Sequence, residues 1–157
     1  YTFSKVMGDE LCMMYKKIYD VDVSVCRFYN VYGPYQLTEG EYCTVIGIFE
    51  RQHKNKETLT ITGDGEQRRD FTHVDDIVEG LILTANSKTS HDFIELGRGN
   101  NHSINELAKM FGGESTYIDA RPGEARNTLC DISEAKDRIG YEPKVNLEDY
   151  ISEASKV

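Results

Sequence analysis

The chain has 157 residues and a formal net charge of −9 at pH 7, with a sequence pI near 4.9. That balance excludes a basic nucleic-acid scaffold and leaves any phosphate recognition to a few focused arginines. Its 39 % apolar and 10 % aromatic content excludes a wholly disordered chain, and every apolar run is shorter than the ~18 residues that a membrane span needs.

The apolar residues Phe3, Met7, Leu11, Met14 or Tyr15, and Ile18 recur at three- and four-residue spacing, which predicts an amphipathic helix over 3–18. Asp20 interrupts it. Val21 to Phe28 then alternates apolar with polar residues in a β-rich composition and predicts a strand. Asn30 to Gly40, carrying Gly33 and Pro34, reads as a loop. Cys43 to His53 returns to a helical period and ends in the charged patch Arg51 to Glu57. Leu59 to Thr62 predicts a short strand, stopped by the turn signal Gly63-Asp64-Gly65.

Asp70 to Val74 predicts another short strand, after which Asp75 or Asp76 is expected to cap a helix from about Ile77 to Asn86. Phe93 to Leu96 reads as a strand ending at Gly97. Ser103 and Glu106 form the S-x-x-E pattern of a capping box and start a helix that runs to Phe111, closed by Gly112 and Gly113. Ser115 to Ile118 predicts a strand, Ser133 to Ile139 a helix stopped by Gly140, and Leu147 onward a last helix. Helices and strands alternate throughout, so the fold class is α/β.

Cys12, Cys26, Cys43 and Cys130 form no C-x-x-C pair, which favours reduced, buried or partly buried thiols in a cytoplasmic protein over disulfides or a zinc site. The histidines show no metal-ligand spacing: His73 is expected to be structural, and His53, His91 and His102 to lie at the surface. The first residues, Tyr-Thr-Phe-Ser-Lys, include no Met and no signal-peptide pattern. They are expected of a chain that begins part-way through a longer one.

Four segments carry candidate chemistry. Tyr1 and Lys5 stand one helical turn apart, so a phenol and an ammonium can share a site. A nearby ammonium favours phenolate and suits tyrosine to acid/base work on a hydroxyl; the plainer reading is a solvated pair. Arg27-Phe28-Tyr29-Asn30-Val31-Tyr32-Gly33-Pro34 opens from a strand end into a loop, where α/β proteins place ligands. There Asn30 either donates to a phosphate or hydroxyl oxygen or caps the turn. Gly63-Asp64-Gly65-Glu66-Gln67-Arg68-Arg69-Asp70-Phe71 carries adjacent arginines suited to a diphosphate, or to ion pairs with Glu66 and Asp70. Arg121-Pro122-Gly123-Glu124-Ala125-Arg126 sets two more cations around a turn. Gly63-x-Gly65 and Gly97-x-Gly99 lack the third glycine of a dinucleotide fingerprint and read as turns.

Taken in order, Y-x-x-x-K, R-F-Y-N-V-Y-G-P, G-D-G-x-x-R-R-D-F-T-H-V-D-D and R-P-G-E resemble the C-terminal half of an extended short-chain dehydrogenase/reductase. The branch is that of the NAD-dependent nucleotide-sugar epimerases and dehydratases, of the UDP-hexose 4-epimerase type. The resemblance implies a Rossmann-type NAD(P)-binding fold in two parts. Residues 1–35 would be the last helix and strand of the dinucleotide-binding domain. Residues 36–157 would be the nucleotide-sugar-binding domain, with some elements returning to the first.

By position, the resemblance makes Tyr1 the catalytic tyrosine and Lys5 its partner, which also holds the nicotinamide ribose, with Tyr29 in the stretch that passes the nicotinamide. It gives Asn30 to the substrate diphosphate, Thr44, Val45 and Ile46 to the nucleotide base through backbone groups, and Thr60 and Thr62 to the strand beside that base. Arg69 and Arg121 match the diphosphate arginines, and Glu124 stands where an acidic residue, usually Asp, binds the nucleotide ribose. The implied cofactor is NAD, the implied partner a nucleotide-diphosphate sugar (a UDP-sugar first), and the expected assembly a homo-oligomer. The glycine-rich half expected before Tyr1 is not among the 157 residues, so the chain alone is expected to be inactive. A 4,6-dehydratase, a UDP-glucuronate decarboxylase and a non-catalytic nucleotide-sugar-binding remnant remain open alternatives.

Overall fold

The computed structural model describes residues 1–40, 42–88 and 91–155. The first element, α1 (Thr2–Tyr19), ends where Asp20 adopts the left-handed conformation (φ 53°). It leans on the rest of the fold through a polar edge. The Arg27 guanidinium donates to the Asp9 carboxylate at 2.7 Å, and Lys16 donates to Asp92 at 2.7 Å. Among the described residues none of α1 is buried, and its stripe of Phe3, Met7, Leu11 and Ile18 lies open.

The strand expected over 21–28 is confined to β1 (Val25–Phe28). The stretch read as a loop over 30–40 contains β2 (Val31–Tyr32) at its start. Such a two-residue strand is set by its tertiary partner: it pairs in parallel with β5 (Thr72–His73), forty-one residues on, beyond the reach of local periodicity. Next come α2 (Val45–Lys54), β3 (Leu59–Thr62) and β4 (Arg68–Arg69). Helix α3 (Val74–Ala85) begins three residues earlier than expected, and its cap is His73 rather than Asp75 or Asp76, with Nδ1 accepting from the Asp75 N–H at 3.2 Å. Asp76 is turned elsewhere. Its carboxylate accepts from the Lys144 and Val145 amides at 2.8 and 3.0 Å, pinning the C-terminal segment to α3.

The order closes with β6 (Phe93–Leu96), β7 (His102–Ser103), α4 (Ile104–Phe111), β8 (Ser115–Ile118), α5 (Ser133–Ile139) and α6 (Leu147–Ala154). Both halves of the capping box expected at Ser103 and Glu106 are made. β1 pairs in parallel with β6, β3 in parallel with β8, and β4 antiparallel with β7.

Two apolar clusters result. In one, Ile46 and Phe49 of α2, Leu59 and Ile61 of β3, Leu107 and Phe111 of α4, and Leu147 and Ile151 of α6 pack together. In the other, Ile77 of α3 meets Ile94 and Leu96 of β6, Ala135 of α5 and Tyr141. Each such side chain contributes about 1.5–3 kcal/mol by leaving water. Cys12, Cys26 and Cys43 are half-buried and Cys130 is buried, all as free thiols. His73 is buried as expected, but His91 is also buried, its N–H bonded to Ser24 Oγ at 2.9 Å, and His53 and His102 are half-buried rather than exposed. Among the described residues no helix is long and apolar enough to cross a membrane.

Candidate functional site

The alternation of β3 decides where the site lies. Leu59 and Ile61 point into the core, so Thr60 and Thr62 must face the other way. There they line a cavity of about 240 Å³ together with Asn30, Thr44, Val45, Arg69, Arg121 and Glu124. Eight of the nine positions expected to meet the substrate therefore share one wall. The ninth, Ile46, is expected there through its backbone; its side chain is buried in the apolar cluster, and Ile48, about one helical turn on from Val45, lines the cavity. Thr44 caps α2, accepting from the Gly47 amide at 3.2 Å, and so sets the first turn of that helix in the wall.

Strand alternation separates the adjacent arginines in the same way. Arg69 lines the cavity, and its guanidinium donates to Glu124 at 2.9 Å. Arg68 turns to the opposite side, donating to both oxygens of Glu106 and to Asn101, and it holds the Glu106 carboxyl below the usual carboxylate range. The pairing considered from the sequence, with Glu66 and Asp70, is not made. Arg126 closes a clasp on Asp64 at 2.7 and 2.8 Å. Among the described residues the Arg121 guanidinium meets no acceptor, which leaves it free for an anion in the cavity.

Asn30 is in the wall with a positive φ of 28°, a conformation that asparagine tolerates. Its Nδ2 donates to the Asp70 carbonyl at 2.9 Å and to Thr128 Oγ1 at 3.4 Å, so both amide hydrogens already have protein acceptors. It works as a clip between the wall and Asp70 rather than as a free donor. Asp70 is fully buried, and its carboxylate accepts from the amides of Arg98, Gly99 and Cys130 at 2.8, 3.0 and 3.1 Å. One buried carboxylate, next in sequence to Arg69, thus ties its own segment to the 98–99 and 130 backbone.

The other expected pair lies on α1. Tyr1 is 93 % exposed, and the Lys5 ammonium sits over its ring, 5.3 Å from the centroid. Tyr29 donates its hydroxyl to Glu95 at 3.1 Å; burial, and then that carboxylate, push the phenol up to about 12. Sequence reasoning missed Cys43, Ile48, Gln67, Phe71, Ile104 and Ile118 of the wall. For Gln67 a signal existed in its place beside the paired arginines. Ile118 gave none, since it is half exposed at the end of a strand whose residues are all exposed.

A model of the GDP-mannose 4,6-dehydratase family matches residues 1–154. The chain is 31 % identical to UDP-glucose 4-epimerase of Mycolicibacterium smegmatis, over 97 % of its own length and 50 % of that protein. It is 33 % identical to UDP-glucuronic acid decarboxylase 1 of Xenopus tropicalis, over 95 % and 36 %. Among solved structures, UDP-glucose 4-epimerase of Thermotoga maritima with UDP-glucose superposes with a TM-score of 0.93 at 30 % identity, covering 99 % of this chain and 52 % of that one. UDP-glucuronic acid 4-epimerase of Bacillus cereus, in complex with UDP-glucuronic acid and NAD, gives a TM-score of 0.89 at 28 % identity, covering 98 % and 50 %. The chain therefore spans about half the length of most of these relatives.

Proposed function

The chain belongs to the GDP-mannose 4,6-dehydratase family of NAD-dependent nucleotide-sugar epimerases and dehydratases, and from that premise we propose that it is the nucleotide-sugar-binding part of a 4-epimerase. Carrying the reading is the cavity in which an unpaired Arg121 and the Arg69–Glu124 pair meet an apolar wall of Val45, Ile48, Ile104 and Ile118. A diphosphate takes the guanidinium groups through charge-assisted bonds, a planar base takes the apolar wall beside Thr60 and Thr62, and Glu124 meets the ribose. We assign residues 1–35 to the cofactor side of the enzyme and 36–157 to the substrate side.

On the cofactor side, the exposure of Tyr1 and the position of Lys5 fit one end of NAD: these two would hold the nicotinamide ribose, with Tyr29 beside the ring. NAD, when bound, supplies the site that accepts a hydride from sugar C4 and returns it. Tyr1 would take the proton of the C4 hydroxyl and return it to the same oxygen once the carbonyl is reduced on its other face, with the Lys5 ammonium beside it, 5.3 Å from the ring centroid. Residues 1–157 contain no glycine-rich strand–turn–helix, the element that cradles a dinucleotide pyrophosphate, so no turnover is expected from them alone. The similarity to a UDP-glucuronic acid decarboxylase supports a second reading, in which the same cavity holds the sugar nucleotide for a different outcome at the sugar. We place the protein in the cytosol, consistent with four free thiols, and expect copies to associate through the open stripe of α1.

Calorimetry with UDP and with NAD tests the reading. UDP is expected to bind and NAD to bind only weakly. A low-micromolar NAD dissociation constant, or no UDP binding, would overturn it.

A further inference from the structure

Thr60 of the cavity wall is bonded to a residue outside the cavity. Gln52, on α2 and only 5 % exposed, lies across β3 with its side-chain amide paired to Thr60 at two points. The Thr60 N–H donates to Gln52 Oε1 at 3.1 Å, and Gln52 Nε2 donates to Thr60 Oγ1 at 2.9 Å. The orientation of that amide is decided by chemistry. A backbone N–H can only donate, so the oxygen of Gln52 must face it, and the NH₂ must then face the hydroxyl.

The consequence falls on the hydroxyl proton. Thr60 Oγ1 already accepts from Gln52, and among the described residues its own hydrogen meets no acceptor. Because the side chain lines the cavity, that hydrogen is left to point into it. Thr44, the other threonine near this part of the wall, differs: it accepts from the Gly47 amide and donates to Gln36 Oε1 at 3.0 Å, so its hydroxyl is engaged on both counts.

Position within the cavity says which part of a ligand meets Thr60. Thr62, Gln67, Arg121 and Glu124 also line an adjoining cavity beside Arg126, which marks the charged end. Thr60 stands two residues back along β3, roughly 6.5 Å from Thr62, and like Val45 and Ile48 it lines the first cavity and not the adjoining one. We propose that Gln52 is a positioning residue for nucleotide specificity. It holds Thr60 as a fixed hydrogen-bond donor in the apolar end of the cavity, where it takes a carbonyl oxygen of a pyrimidine base. The proposal rests on the nucleotide-sugar reading above and adds to it the polarity of the wall.

Four proteins titrated with UDP and with inorganic pyrophosphate at pH 8 test it. Thr60→Ser keeps the donor and is expected to bind UDP like the wild type. Thr60→Val removes it and is expected to lose roughly two- to twelvefold in UDP affinity, the range of one neutral hydrogen bond. Gln52→Glu should lose at least as much while keeping Thr60, because a carboxylate accepts the hydroxyl proton and turns lone pairs toward the base. Inorganic pyrophosphate, which has no base, should bind all four alike, which also reports that the cavity is intact. If Thr60→Val and Gln52→Glu bind UDP as tightly as the wild type, or lose pyrophosphate in parallel with UDP, the proposal fails and the nucleotide-sugar reading stands. If wild-type protein binds UDP no better than pyrophosphate, both fail together.

Discussion

Arg69 and Glu124 form an ion pair at 2.9 Å inside the cavity wall, with the arginine side chain only 12 % exposed. An anionic ligand must compete with that carboxylate for the same guanidinium. Replacing Glu124 by Gln is therefore expected to strengthen inorganic pyrophosphate binding about two- to fivefold, the worth of a partly screened pair. UDP should gain less, because the ribose exchanges a charged acceptor for the weaker amide oxygen of glutamine. Parallel calorimetric titrations of the two ligands check this; an equal gain for both would remove Glu124 from the ribose.

Asp70 accepts from three backbone amides and Thr72 Oγ1 without access to water. Asp70→Asn keeps the shape but turns a donor toward buried N–H groups. The expected loss is about 2–4 kcal/mol of stability, from a weakened acceptor and at least one orphaned amide. Urea denaturation measures it, with an unchanged m-value if the native state stays compact.

The Tyr29 phenol offers a titration with a definite sign. Burial is the larger cause of its rise to about 12 and the Glu95 carboxylate the next. Glu95→Gln should lower the midpoint, read from phenolate absorbance, yet leave it above the ordinary value near 10. A midpoint unmoved by the substitution would show that the 3.1 Å bond to Glu95 does not govern the phenol.

Helix α1 has no fully buried residue among the described residues, while Phe3, Met7, Leu11 and Ile18 form one open stripe. Met7→Glu with Leu11→Glu should disperse any self-association without touching the cavity. Light scattering at high concentration is the measurement: the wild type is expected above monomer mass and the double variant at it. A wild-type monomer would contradict the expectation.

Much of this was legible in the residues. The capping box at Ser103 and Glu106 and the left-handed Gly140 after α5 act locally, and so sequence periodicity found both helices. The opposite facing of Arg68 and Arg69 is the alternation of neighbours along β4. What stayed hidden depends on distant partners. Strand β2 exists because β5 pairs with it; His73 caps α3 in place of either aspartate, and Asp76 instead accepts from the 144–145 amides. Gly97 was read as a turn residue, yet a Cβ there would strike Cys130 Cβ, a requirement set thirty-three residues away. Asn30 has the residue type of a phosphate donor, but its hydrogens are directed by Asp70 and Thr128.

The claim that this cavity holds the diphosphate of a sugar nucleotide is tested most directly by titrating UDP against Arg68→Ala and Arg69→Ala. Removing Arg69 deletes a charge-assisted contact worth ~1.5–3 kcal/mol, a loss of roughly ten- to a hundredfold in affinity. Arg69→Lys should recover only part of it, since an ammonium lacks the planar two-point grip. Arg68→Ala should bind UDP nearly as the wild type does, because its guanidinium is tied to Glu106 and Asn101 on the far side of the strand. If Arg68→Ala loses the affinity while Arg69→Ala keeps it, the diphosphate does not lie in this cavity.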